Sequence, residues 1–109
     1  MYQYKAKCVN VVDGDTIDFE LDLGFHIKKV VRIRLEDIDC PELRGEDKEF
    51  GKEVKRFVFG CLYNQSDYPI EVQVTTGKDT SFDRWMGTVH FSTGQTLQSK
   101  IKEAFPEIK

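Results

Sequence analysis

An excess of positive charge, paired cysteines and long apolar runs are all missing from this sequence, and each absence removes a class of protein. Sixteen lysines and arginines stand against nineteen aspartates and glutamates, for a net charge of −3. Proteins that hold nucleic acid by bulk charge are usually basic, so any such partner must be met by a local basic patch or through bound cations. The three cysteines, Cys8, Cys40 and Cys61, are odd in number and lack metal-site spacing. They fit reduced thiols in a cytoplasmic compartment rather than a disulfide framework, with Cys8 and Cys61 as small apolar core residues. No apolar run approaches the ~20 residues of a membrane span, so no membrane is expected as a partner. The stretch Met1–Cys8 carries no apolar signal core, which points to a cytoplasmic protein. The two histidines, His26 and His90, have no serine or cysteine partner at a recognisable spacing and are assigned structural roles.

What is present reads as one domain over residues 1–109, with 39% hydrophobic and 32% charged residues. A chain of this size buries roughly 60–70% of its unfolded surface, enough for one modest core. A first strand is predicted over Gln3–Val12, ending at the turn Asp13-Gly14. Over Thr16–Leu23 the alternation is clean, with Ile17, Phe19, Leu21 and Leu23 on one face. A third strand over Lys28–Glu36 puts Val31, Ile33 and Leu35 inward and sends Arg32 and Arg34 together to the other side. Pro41 interrupts any ladder and makes Asp37–Glu42 a loop. A helix is predicted over Glu46–Tyr63 from Phe50, Val54, Phe57, Val58 and Cys61. Strands over Ile70–Thr75 and Trp85–Phe91 follow, then a short helix over Thr96–Phe105. This order predicts a mainly β, α+β fold: a five-stranded OB-type barrel with one helix between strands three and four and a short C-terminal helix. Phe57, Phe59, Trp85 and Phe91 are read as core.

Two carboxylate clusters sit at strand ends that a closed barrel could bring together. One is Val12-Asp13-Gly14-Asp15-Thr16; the other runs from Arg34 through Asp37, Asp39 and Cys40 to Glu42. Calcium takes several oxygens from carboxylates, carbonyls and water. Asp15 and Asp39 could supply the carboxylates, and the loop could supply a carbonyl such as that of Cys40. Phosphodiester hydrolysis also needs an activated water and a donor for charge growing on the phosphoryl oxygens. Arg34 can fork two phosphate oxygens at once, Glu42 is close enough to Asp39 in sequence to act on a water, and Arg84 offers a second guanidinium. Taken singly, these residues read more simply as turn, loop and ion-pair residues.

The combination Asp13-Gly14-Asp15-Thr16, Arg32-Ile33-Arg34-Leu35, Asp37-Ile38-Asp39-Cys40-Pro41-Glu42, Glu49–Glu53 and Phe82-Asp83-Arg84-Trp85 resembles the staphylococcal-nuclease-like (thermonuclease) family over nearly the whole chain. The resemblance implies a calcium-dependent nuclease that hydrolyses phosphodiester bonds of DNA and/or RNA by attack of water. It implies calcium held by Asp15, Asp39 and the backbone carbonyl of Cys40, and Arg34, Glu42 and Arg84 as catalytic residues. Arg34, Arg84 and Phe82 would contact substrate. The departures are Cys40 where the family usually has threonine, Phe82 in place of tyrosine and Ser81 in place of lysine. The hairpin before Arg34 is longer than in the family's secreted members. The family's C-terminal tyrosines and last helix have no counterpart before Lys109, so a partner chain or dimer could complete the site; no obligate protein partner is otherwise evident. The competing expectation is a non-catalytic OB-type module that binds nucleic acid or protein.

Overall fold

The strands close on themselves. In this computed structural model, which describes residues 2–41, 48–64, 68–81 and 84–108, five strands are hydrogen-bonded in the closed order β1-β2-β3-β5-β4. They are β1 (Tyr2–Asp13), β2 (Thr16–Asp22), β3 (Lys28–Leu35), β4 (Val72–Ser81) and β5 (Arg84–His90), with helices α1 (Lys48–Leu62) and α2 (Leu97–Ala104). All neighbours are antiparallel except β3 and β5, which run parallel from the Arg32–Arg84 pair to the Leu35–Gly87 pair. The architecture is the mainly β, α+β barrel of OB type that the element order predicts.

Alternation decides what the barrel encloses. Ile17, Phe19, Ile33, Leu35, Val74 and Val89 are all fully buried inside it. The helix α1 presents Val54, Val58 and Leu62 to the same core, and α2 adds Leu97 and Ile101. Thr96 caps α2 by accepting a hydrogen bond from the Ser99 amide, a polar cap at the expected helix start. Phe105 packs edge-on against Phe50 and Phe57 of α1, at 5.7 and 5.5 Å between ring centres, and so locks the two helices together. No helix among the described residues is long and apolar enough to cross a membrane.

Four expectations need correction. Leu23 is exposed, because β2 ends at Asp22 and its pairing with β1 stops at Ala6–Leu21, which leaves Leu23 in the turn that leads to β3. Phe59, on the outer side of α1, stacks on Tyr63 at 4.2 Å rather than entering the core. Trp85, the second residue of β5, is 40% exposed although it stands opposite buried Ile33. Finally, β4 runs on past Thr75 to Ser81, its pairing with β5 carried through register shifts after Thr76 and Asp79. Residues 46–47, the expected start of α1, lie outside the described residues.

Gly87 shows how tightly the closure is packed. A Cβ there would lie 2.8 Å from the Thr75 carbonyl and 3.1 Å from Ile33 Cγ2. Gly87→Ala should therefore cost about 1–3 kcal/mol, read as a lower urea midpoint with an unchanged m-value.

A second test concerns Tyr63, whose hydroxyl donates to the Cys8 carbonyl at 3.2 Å. Burial, then the contact with Cys8, pushes its pKa from 10.0 up to about 12. Burial likewise raises the Cys8 thiol above 9.0. An acid whose pKa is raised by folding holds its proton in the native state after the unfolded chain has lost it. Stability should thus be level below about pH 9 and fall as pH rises through 12. Tyr63→Phe should lose about 1 kcal/mol at neutral pH with the hydrogen bond, yet show a shallower alkaline fall in urea titrations.

Candidate functional site

The end of the barrel nearest α1 gathers the acidic turns. Asp13-Gly14-Asp15 joins β1 to β2, and the chain leaving β3 passes beside it. The Leu35 amide donates to the Asp15 carbonyl at 2.8 Å, and the Glu36 amide to the Gly87 carbonyl at 3.0 Å. Gly14 lets this turn sit against the helix: a Cβ there would lie 2.5 Å from Val54 Cγ1 and 3.1 Å from Cys40 Sγ. Beyond Glu36, Asp37 adopts a left-handed φ of 60°, a conformation that aspartate tolerates and that turns the chain back towards β2.

One guanidinium organises the result. Arg34 Nη1 donates to the carbonyls of Leu35 and Ile38, at 2.8 and 2.7 Å. Its Nη2 lies 3.3 Å from Asp15 Oδ2 and 3.3 Å from Asp39 Oδ1. The two carboxylates thus share one nitrogen and lie within twice that distance of each other. They differ sharply in setting. Asp15 is 7% exposed, accepting from the Cys40 amide at 2.9 Å and from the Thr16 hydroxyl at 3.2 Å. The side chain of Asp39 is 88% exposed. Further along the same face, Arg32 forks onto Asp18 at 2.8 and 3.3 Å.

Asp15, Arg34, Asp39 and Cys40 are therefore together. Arg84 opens β5 in register with Arg32, two positions before the Arg34–Met86 pair. Glu42 and Phe82 lie outside the described residues, as does Asp83. Sequence reasoning took Cys40 for its carbonyl; the structure shows its amide holding Asp15, a role open to any residue but proline and so without a side-chain signal. It also missed Gln98, whose Nε2 lies 3.2 Å from the Glu36 carbonyl and 3.3 Å from that of Gly87, tying α2 to the acidic loop. A buried polar residue between Leu97 and Ile101 is the pattern that would have pointed to it.

The donor set is one of oxygen. Burial, reinforced by the negative charge of Asp15, pushes the Cys40 thiol up to about 12, so at neutral pH its sulfur is a protonated, poor ligand. Two carboxylates already drawn to one positive group fit a hard cation such as calcium, with water and loop carbonyls completing the shell. Among the described residues no group of three His, Cys, Asp or Glu side chains is placed to hold a metal.

No family model matches the chain. It is 29% identical over 102 residues to a micrococcal nuclease of Shigella flexneri, a match covering 90% of this chain and 51% of that protein. It is 34% identical over 88 residues to Protein ParB of Escherichia coli, covering 80% of this chain and 42% of that protein. The chain spans about half the length, or less, of these curated relatives. The first similarity runs through both acidic turns and supports a nuclease-like relationship.

The contrast between the two aspartates makes a test. Asp15→Ala strands the Cys40 amide and removes a partner of Arg34, and should cost about 1–3 kcal/mol in urea unfolding. Asp39→Ala removes only an exposed charge and should stay within about 0.5 kcal/mol. Equal losses would show that Asp15 is not the structural member of the pair.

Proposed function

We propose that this chain is a calcium-dependent nuclease acting on DNA and/or RNA. The observation that carries the reading is the convergence of Asp15 and Asp39 on the Nη2 of Arg34. The similarity to a micrococcal nuclease supports it. In this reading Asp15, Asp39 and the carbonyl of Cys40 hold the cation, which when bound supplies Lewis-acid polarisation of the phosphate and a more acidic water. Arg34 is fixed through Nη1 by the Leu35 and Ile38 carbonyls, leaving Nη2 to exchange its carboxylate partners for phosphate oxygens. A guanidinium placed in advance stabilises developing charge without reorganising during the reaction. Arg84 clamps the phosphate from β5, Glu42 takes the proton of the attacking water, and Phe82 lies against the substrate.

The same contacts favour a second reading. The contacts of Arg34 with Leu35, Ile38, Asp15 and Asp39 all lie within the chain, as a purely structural arginine would require. A non-catalytic binding module of this build would need no more.

Cleavage of single-stranded DNA at low salt, with calcium and then with chelator, separates the two. The nuclease reading expects calcium-dependent cleavage, a loss of about 10²–10³ in kcat for Arg34→Ala or Arg84→Ala, and depressed turnover for Glu42→Gln with binding retained. Binding without cleavage, weakened alike by both arginine substitutions, would establish the module. Equal calcium-independent cleavage by the parent and Glu42→Gln would mark a contaminant.

Cation identity is a separate test. Calcium at about 100 times its Kd should stabilise the fold by about 2.7 kcal/mol. Zinc at the same concentration should barely move the Tm, because the two carboxylates and the loop carbonyls are hard oxygen donors. A larger shift with zinc would make the site a soft one.

A further inference from the structure

At one end α1 packs on the core of the barrel; among the described residues no helix covers the other. Where β1, β2 and β3 lie farthest from the Gly14 turn, Tyr4, Leu23, Lys29, Val31, Thr76 and Trp85 border a groove of about 240 Å³. We propose that this groove takes one unstacked base of a single-stranded nucleic acid against Trp85, while the phosphates of that strand run along β3 towards Arg34. The inference rests on the nucleic-acid reading above and adds to it a second point of contact, remote from the cleft.

Three observations carry it. First, Trp85 occupies an inward position of β5, opposite buried Ile33, yet stays 40% exposed. An indole face bordering an open, shallow, mostly apolar groove suits a flat ring, and base–aromatic stacking needs no particular base. Second, the charge is complementary. Lys29 is the only charged residue, and no acid is found, among the described side chains that line the groove, although the protein as a whole carries −3. Third, the groove and the cleft share a strand. Lys29, on the inward face of β3, and Arg34, on its outward face, lie five positions apart, about 17 Å at ~3.3 Å per residue, so the bound strand passes over the edge of the barrel between them. At ~3.4 Å per nucleotide that span is about five nucleotides, within the roughly 4–16 an OB-type barrel engages. Between them Arg32 is paired with Asp18, and just before Lys29 the ammonium of Lys28 lies 3.9 Å from Glu20, so these two acids of β2 are matched by cations.

Trp85 is the only tryptophan, so intrinsic emission reports on the groove alone. The whole chain, in chelator, is titrated with an oligothymidylate long enough to span groove and cleft, and separately with the dinucleotide. Integrity of the oligomer is checked on a gel. Saturable quenching by the oligomer, and much less by the dinucleotide, is expected. By anisotropy of a labelled oligomer, Trp85→Ala should weaken binding about 5- to 150-fold, the equivalent of one stacked base. Trp85→Phe should restore most of it, and Lys29→Glu should weaken it. If Trp85→Ala fails to fold by circular dichroism, the emission titration and Lys29→Glu decide.

An oligomer that binds with unchanged emission and unchanged affinity for Trp85→Ala overturns the inference, even where calcium-dependent cleavage is intact. Emission that shifts with protein concentration alone also overturns it, because the groove is then covered by a second copy. Quenching and loss of affinity in a protein that never cleaves would uphold the groove and refute the nuclease instead.

Discussion

A guanidinium set between two carboxylates and two carbonyls is the constraint on which the acidic end of this barrel depends. Asp15 is buried, and a buried carboxylate without donors or a countercharge is strongly disfavoured. Arg34 supplies the countercharge, while the Cys40 amide and the Thr16 hydroxyl supply further donors. The same arginine uses its other terminal nitrogen to fold the chain leaving β3 around itself, through the Leu35 and Ile38 carbonyls. Lysine could neutralise charge there, but its point-like ammonium has no planar fork to reach carbonyls and carboxylates from fixed directions. The loop and the cleft it borders are thus shaped by one side chain.

How much of this was legible in the sequence follows the same physics. Strand positions and inward faces could be read wherever a strand is paired on both sides, because the period of two is then enforced by burial. The reading failed where cover runs out, at Leu23 and at Trp85, and where β4 keeps its pairing through register shifts past Thr76. Alternation says which way a side chain points and nothing about whether another layer lies above it. In the site, the types and spacing of Asp15, Arg34 and Asp39 marked them out, and barrel closure puts them together. The amide of Cys40 and the carbonyls that hold Arg34 left no trace, since every residue has them.

The two ends of the barrel also divide its tasks. At the α1 end, Gly14 and Gly87 admit close backbone approach, and Gln98 ties α2 to the Glu36 carbonyl, so the acidic turns rest on a packed base. Among the described residues the opposite end has no helix. There the hairpin between β2 and β3 turns through Gly24, Phe25 and His26, all with positive φ, and leaves Phe25 95% exposed. Large apolar groups are tolerated there because few packing demands reach that far.

The parallel pairing of β3 with β5 carries a consequence for the order in which the molecule can come together. Asp15, Arg34 and Asp39 are near neighbours along the chain, joined through a hairpin and the turn that follows β3, so their meeting closes only short loops. Arg84 joins Arg32 across α1 and the whole of β4, and that loop must be closed before the parallel ladder returns any stabilisation. The meeting of Asp15, Arg34 and Asp39 is thus the local part of the fold, and the approach of Arg84 to Arg32 is its non-local part, formed only with the finished barrel.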